Sequence, residues 1–233
     1  MNLKKLVIIP TYNEIENLKL LFPELMKLNN QFDILIVDDS SPDGTAAYVK
    51  DVSKSNQRVH LLLRKQKQGL GKAYISGFEW AIANSYDTIT QMDADFSHRP
   101  MDLDSILNLI ENHDLVIGSR YVEGGKVENW GFIRKLISKG GSFYSRLILG
   151  YPTRDWTGGF NTWKTPVLKQ IGLENIESSG YSFQIELKYR AQLLGFKPYE
   201  YPITFPDRRL GQSKMSFRIL LEALYKVWLI RFR

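Results

Sequence analysis

Apolar residues along the chain fall into short unbroken runs, separated by stretches in which they recur every three to four positions. Leu6-Val7-Ile8-Ile9 is such a run, ended by Pro10, and Leu18, Leu21, Leu25 and Leu28 then keep helical spacing. Ile34-Leu35-Ile36-Val37 repeats the buried-strand signature, Asp38 to Gly44 breaks it, and a helix is predicted from Thr45. Val59 to Leu63, a Gly-Leu-Gly loop at 69–71 and the periodic Ala73, Ile75, Phe78 and Ala81 form a third unit. Thr88 to Met92 and Leu115 to Gly118 read as two more strands around a helix near 102–112. Strands alternating with helices predict an α/β fold with a mainly parallel, doubly wound sheet.

In such a sheet ligands bind beyond the carboxyl ends of the strands, and the polar clusters fall there: Thr11–Glu14, Asp38–Gly44, Asp93–His98 and Ser119–Tyr121. No G-x-G-x-x-G follows the first strand and no G-x-x-x-x-G-K-[ST] is present, which argues against dinucleotide enzymes and P-loop NTPases. Beyond residue 125 the pattern loosens. It gives a helix at 132–149, an aromatic and glycine-rich stretch at 151–163, a helix near 181–194 and a strand from Tyr199 to Phe205. No repeat or linker divides the chain, so one catalytic domain is expected over 1–215, with a C-terminal amphipathic helix over 216–233.

Composition narrows the chemistry. At 233 residues the chain can bury a full α/β core. A formal charge of +6 favours anionic partners, yet the basic residues are dispersed and no nucleic-acid-binding motif appears. The absence of cysteine and the scatter of His60, His98 and His113 leave only oxygen ligands for a metal. No signal-like segment follows Met1, and no run is long enough to cross a bilayer. The expected location is therefore cytoplasmic, peripheral on the cytoplasmic face of a membrane.

Asp93-Ala94-Asp95 directly follows a predicted strand, so two carboxylates emerge together where a hard cation bridging phosphate oxygens would sit. Alone, that spacing also describes a solvated acidic turn. Together with Pro10-Thr11-Tyr12-Asn13-Glu14 and Val37-Asp38-Asp39-Ser40-Ser41-Pro42-Asp43-Gly44 it resembles family 2 glycosyltransferases of the GT-A (nucleotide-diphospho-sugar transferase) fold. Further segments resemble the dolichyl-phosphate (polyprenyl-phosphate) mannose synthases of that family: Gly69–Ala73, Gly118-Ser119-Arg120-Tyr121, Asp155-Trp156-Thr157-Gly158-Gly159-Phe160, Asp207-Arg208 and Gly211-Gln212-Ser213-Lys214.

The resemblance implies that Pro10, Tyr12, Glu14, Val37 and Asp39 frame the nucleoside, with Ala94 lining the nucleotide. It places Mg²⁺ or Mn²⁺ on Asp93 and Asp95, with the Ser97 hydroxyl where some relatives carry a Gln amide. Arg120, Arg134 and Ser138 map to the acceptor phosphate, and Arg208 and Lys214 to clamps on the donor diphosphate. Glu14 is also suited to capping the following helix, and His98 to a structural hydrogen bond. The implied reaction is inverting transfer of mannose from GDP-mannose to a polyprenyl (dolichyl) phosphate. A phosphate monoester, with second pKa near ~6, attacks without a general base. Rival readings are UDP-glucose or another nucleotide sugar as donor, and a nucleotide-sugar-binding protein without turnover. Residues 216–232 carry Arg218, Glu222 and Lys226 on one stripe and apolar residues elsewhere, a face suited to a membrane surface, a membrane-anchoring partner subunit or the domain itself.

Overall fold

The computed structural model describes residues 3–207 and 217–232. Its first half repeats the strand-then-helix unit: β1 (Lys5–Thr11), α1 (Ile15–Met26), β2 (Asp33–Asp38), α2 (Thr45–Ser55), β3 (Val59–Leu63), α3 (Leu70–Ala83), β4 (Thr88–Gln91), α4 (Pro100–Leu109) and β5 (Leu115–Ser119). The second half adds β6 (Lys126–Val127), α5 (Phe132–Leu149), β7 (Asn161–Lys164), α6 (Thr165–Gln170), α7 (Gly180–Leu193), β8 (Pro198–Pro202), β9 (Thr204–Phe205) and α8 (Phe217–Phe232).

Seven strands form one sheet in the order β3-β2-β1-β4-β7-β5-β8, and β6 pairs with β9. All neighbours in the large sheet are parallel except β7, which runs antiparallel to both β4 and β5. Alternation along each strand splits the core between the two faces. Leu6, Ile8, Leu35 and Val37 meet α3 and α7, whereas Val7, Ile9, Ile34 and Ile36 meet α1, α2 and α4. Gly77 permits the close seat of α3, because a Cβ there would lie 2.8 Å from a methyl of Ile8.

Two features depart from the sequence reading. The stretch at 151–163 hides β7, whose Asn-Thr-Trp-Lys has no apolar alternation and owes its place to pairing on both sides. The strand expected over 199–205 divides at Ile203, where the chain leaves the large sheet and joins β6. Register brings the carboxyl ends of β1 and β2 level, with Thr11 opposite Asp38, while the amide of Met92 bonds the carbonyl of Ile8 and delivers the segment after β4 to the same rim.

Candidate active site

Three loops on this rim each contain one non-glycine residue in the left-handed region: Asn13 (φ 63°), Ser40 (φ 56°) and Phe96 (φ 64°). Such backbone costs about 1 kcal/mol or more per residue and persists only where surroundings enforce it. Here side chains stitch the first two loops together. Ser41 Oγ accepts the amide of Asn13 (3.0 Å) and donates to Asp38 Oδ2 (2.6 Å), which also takes the Thr11 hydroxyl (2.8 Å). Asp43 accepts the amides of Thr45 (3.0 Å) and Ile15 (3.2 Å), so one carboxylate serves the starts of both α1 and α2. These bonds hold its pKa below the usual carboxylate value against the opposing pull of burial.

The nucleoside candidates gather around these loops. Asp39 is buried and receives Arg64 Nη1 at 2.7 Å, and Tyr12 is half-exposed beneath the ammonium of Lys67, 3.6 Å from its ring centre. Glu14 occupies the N-cap position of α1 without a side-chain capping bond; its carboxylate accepts Asn17 Nδ2 at 2.6 Å instead. Pro10, next to last in β1, is half-buried at the rim. Val37 differs: strand alternation turns its side chain under α3, so it supports the rim from below.

The loop after β4 is held as tightly. Asp95 Oδ1 accepts both the amide (3.1 Å) and the hydroxyl (2.5 Å) of Ser97, and Ala94 is buried beside it. Asp93 takes the Tyr74 hydroxyl at 3.4 Å, while its amide donates to His98 Nδ1 at 3.0 Å. That bond makes Nδ1 the unprotonated nitrogen. Burial drives the His98 pKa down to about 4, so the ring is a neutral strut, stacked on Phe160 at 4.6 Å. Among the described residues no cluster of three or more His, Asp or Glu side chains gathers as a metal site. Two carboxylates at a strand end still match what Mg²⁺ or Mn²⁺ takes from a protein when phosphate oxygens and water complete the octahedron.

Across the rim lies a cationic cluster. Arg120 grips the fully buried Asp155 with Nε and Nη2, both at 2.7 Å, and its backbone amide adds a third bond at 2.9 Å. Burial works to raise the Asp155 pKa, yet the guanidinium beside it holds the carboxyl at about 2. The buried Lys188 ammonium donates to the carbonyls of Asp155 (2.8 Å) and Gly158 (2.8 Å), and Glu200 accepts the amides of Arg154 and Asp155 (2.8 and 2.9 Å). Burial lowers the Lys188 pKa to about 8. Arg134 lies over the Trp130 ring at 3.9 Å and pairs with Asp207 at 2.8 Å, while Ser138 accepts the Tyr121 hydroxyl at 2.6 Å. Phe205 joins the two clusters, since its ring contacts His98 (5.5 Å), Trp130 (5.4 Å) and the Arg120 guanidinium (5.3 Å).

Of the residues singled out in the sequence, the structure thus gathers Pro10, Tyr12, Glu14 and Asp39 in one corner, Asp93, Ala94, Asp95 and Ser97 in the centre, and Arg120, Arg134 and Ser138 opposite. Arg208 and Lys214 lie outside the described residues. Sequence reasoning missed Arg64, Lys188 and Glu200, none of which sits in a motif; their roles arise from partners 25 to 46 positions away.

The chain belongs to glycosyl transferase family 2, whose match spans residues 6–172, and it is a glycosyltransferase of the GT-A fold. Undecaprenyl-phosphate mannosyltransferase of Micrococcus luteus is 46% identical to it over 225 residues, covering 97% of this chain and 93% of that protein. Polyprenol monophosphomannose synthase of Mycolicibacterium smegmatis is 46% identical over 234 residues, covering 99% and 88%. The fold is shared with a mannosyltransferase from Pyrobaculum calidifontis solved in complex with GDP-Man and Mn²⁺ (TM-score 0.67, 14% identity, 100% of this chain and 65% of that one). It is shared also with glucosyl-3-phosphoglycerate synthase from Mycobacterium tuberculosis, solved with Mn²⁺, uridine diphosphate and phosphoglyceric acid (TM-score 0.67, 15% identity, 98% and 77%).

Proposed function

We propose that the protein transfers mannose from GDP-mannose to a polyprenyl phosphate, with inversion at the anomeric carbon, and that Asp93 and Asp95 hold Mg²⁺ or Mn²⁺ against the donor diphosphate. The observation carrying this reading is the pairing of two opposed clusters around Phe205: anchored carboxylates on one side, Arg120, Arg134 and Ser138 on the other. The names of two relatives at 46% identity support both the sugar and the acceptor class.

The bound cation would supply charge neutralisation for the departing diphosphate. The residues of the chain do the rest. Pro10, Tyr12, Glu14 and Asp39 frame the nucleoside, Val37 packing beneath them. Ser97 fixes the rotamer of Asp95, and His98 fixes the backbone of Asp93. Arg134 and Ser138, one turn apart on α5, take the acceptor phosphate, and Asp155 holds Arg120 in bidentate geometry beside them. Arg208 and Lys214, by the resemblance, are assigned to the donor diphosphate. The acceptor is largely dianionic near neutral pH and needs no base, which agrees with a neutral His98 already committed to a backbone amide.

The lipid would arrive along α5. Phe132, Leu136, Phe143 and Leu147 make an exposed apolar stripe on one face of this helix, bordered by the exposed Lys135, Lys139 and Arg146, while Ser138, Ser142, Ser145 and Leu149 face inward. In α8, Val227 and Ile230 pack on the domain beside Trp156 and Tyr189, whereas Tyr225, Trp228 and Phe232 face outward. No helix among the described residues is long and apolar enough to cross a membrane. Contact with the cytoplasmic membrane face is accordingly peripheral in this reading, alone or with an anchoring subunit.

The test is incubation with GDP-mannose, Mn²⁺ and undecaprenyl or dolichyl phosphate in vesicles, followed by lipid extraction and assignment of the anomer. A β-mannosyl phospholipid is expected. UDP-glucose run in parallel decides the donor, and product from UDP-glucose alone would overturn mannose.

A further inference from the structure

Lys188, on α7, is fully buried, and its ammonium donates to three carbonyls of a single turn: those of Asp155 (2.8 Å), Gly158 (2.8 Å) and Trp156 (3.3 Å). An ammonium has three N–H donors and no lone pair, so this turn saturates it. Loss of the proton would leave two donors and a lone pair facing a carbonyl oxygen. An apolar side chain of the same length would leave no donor at all.

The turn itself holds Asp155 at every polar group. The Asp155 amide donates to Glu200 (2.9 Å), its carbonyl accepts Lys188, and its carboxylate accepts Arg120 Nε, Arg120 Nη2, the Arg120 amide and the Gly158 amide (2.9 Å). Gly158 lets the chain coil this tightly, since a Cβ there would lie 3.1 Å from all three heavy atoms of the Asp155 carboxyl group. Arg120 Nη2 also reaches the Thr157 hydroxyl at 2.9 Å, so both the carboxylate and the turn that carries it aim the guanidinium. The charged groups acting on the ammonium are Asp155, Arg120 and Glu200. Burial brings the Lys188 pKa down to about 8, with Arg120 pushing the same way and the two carboxylates opposing.

We propose that Lys188 is a positioning residue for acceptor use: by drawing the carbonyls of the 155–158 turn to one point, it holds the Asp155 carboxylate toward Arg120 and so fixes the guanidinium beside the acceptor phosphate. This rests on the reading of Arg120, Arg134 and Ser138 as the acceptor-phosphate site. It adds a group that touches neither substrate and acts from the far side of the turn.

Lys188→Met keeps the length and the apolar stem while removing every donor. With undecaprenyl phosphate in vesicles, the variant is expected to lose about tenfold in acceptor kcat/KM, while the KM for GDP-mannose and the binding of GDP with Mn²⁺ stay at wild-type values. At saturating GDP-mannose the wild-type acceptor kcat/KM should fall as pH rises through about 8, and the variant should lack that limb. If the variant binds GDP with Mn²⁺ normally, the split decides: an unchanged acceptor kcat/KM, or equal losses for donor and acceptor, would overturn the role of Lys188. If it does not bind, the wild-type profile decides: a fall confined to the acceptor supports the role, and a profile flat well above pH 8 overturns it. Failure of the wild type to transfer mannose at all would instead overturn the assigned activity.

Discussion

The nucleotide side and the acceptor side of the rim are built on opposite plans. On the nucleotide side, carboxylates are satisfied within their own loops: Asp38 by Ser41, Asp43 by Thr45, Asp95 by Ser97. Each is a short-range bond within one strand-to-helix turn. On the acceptor side, a fully buried ion pair joins Arg120 to Asp155 across 35 positions, and Lys188 and Glu200 reach the same loop from 30 to 46 positions away. Local turns can place ligands for a phosphate cheaply. Holding a cluster of arginines fixed in the interior needs compensating charge from elsewhere in the chain.

That contrast is open to attack at its strongest points. Asp95→Ala should cost the most, roughly 10³-fold in turnover, because several kcal/mol of transition-state stabilisation leave with the cation. Its melting temperature should stay near wild type, and turnover within threefold would remove the carboxylate from the metal site. Asp155→Ala strikes the other plan. It strands the Arg120 guanidinium and should destabilise the fold by about 3–5 kcal/mol in urea unfolding. The same carboxyl sits at about 2 against an ordinary 3.8. Its stabilisation is therefore complete above about pH 3.8 and disappears as pH falls through about 2, an acid limb the variant should lack. Equal stability of variant and wild type at pH 7 would show that the pair contributes nothing.

Arg134→Ala should have the smallest effect of the three and sharpen the division. Its partner Asp207 is half-exposed, so the pair adds little to stability. Loss of a charge-assisted phosphate contact should lower kcat/KM for the acceptor roughly 30- to 100-fold while the donor KM holds. An unchanged acceptor kcat/KM would place the phosphate elsewhere.

Apolar runs and their punctuation announced β1 through β5, the helices between them and the position of the carboxylate pair, because each depends on residues within a few positions of one another. The antiparallel β7 was not legible. Its polar Asn-Thr-Trp-Lys is a strand only because β4 and β5 flank it, and its Asn161 and Trp163 side chains are satisfied by Gln91 and Gln184 in the interior.

The sequence by itself determined an α/β chain with carboxylates at one sheet edge and arginines downstream, since periodicity and turn chemistry are local physics. Only the tertiary structure decided that Arg120 is clamped by Asp155, that His98 is a neutral strut and that Lys188 is buried against the carbonyls of Asp155 and Gly158. Burial and long-range pairing set the charge and direction of a polar group, and neither is written in its neighbours along the chain.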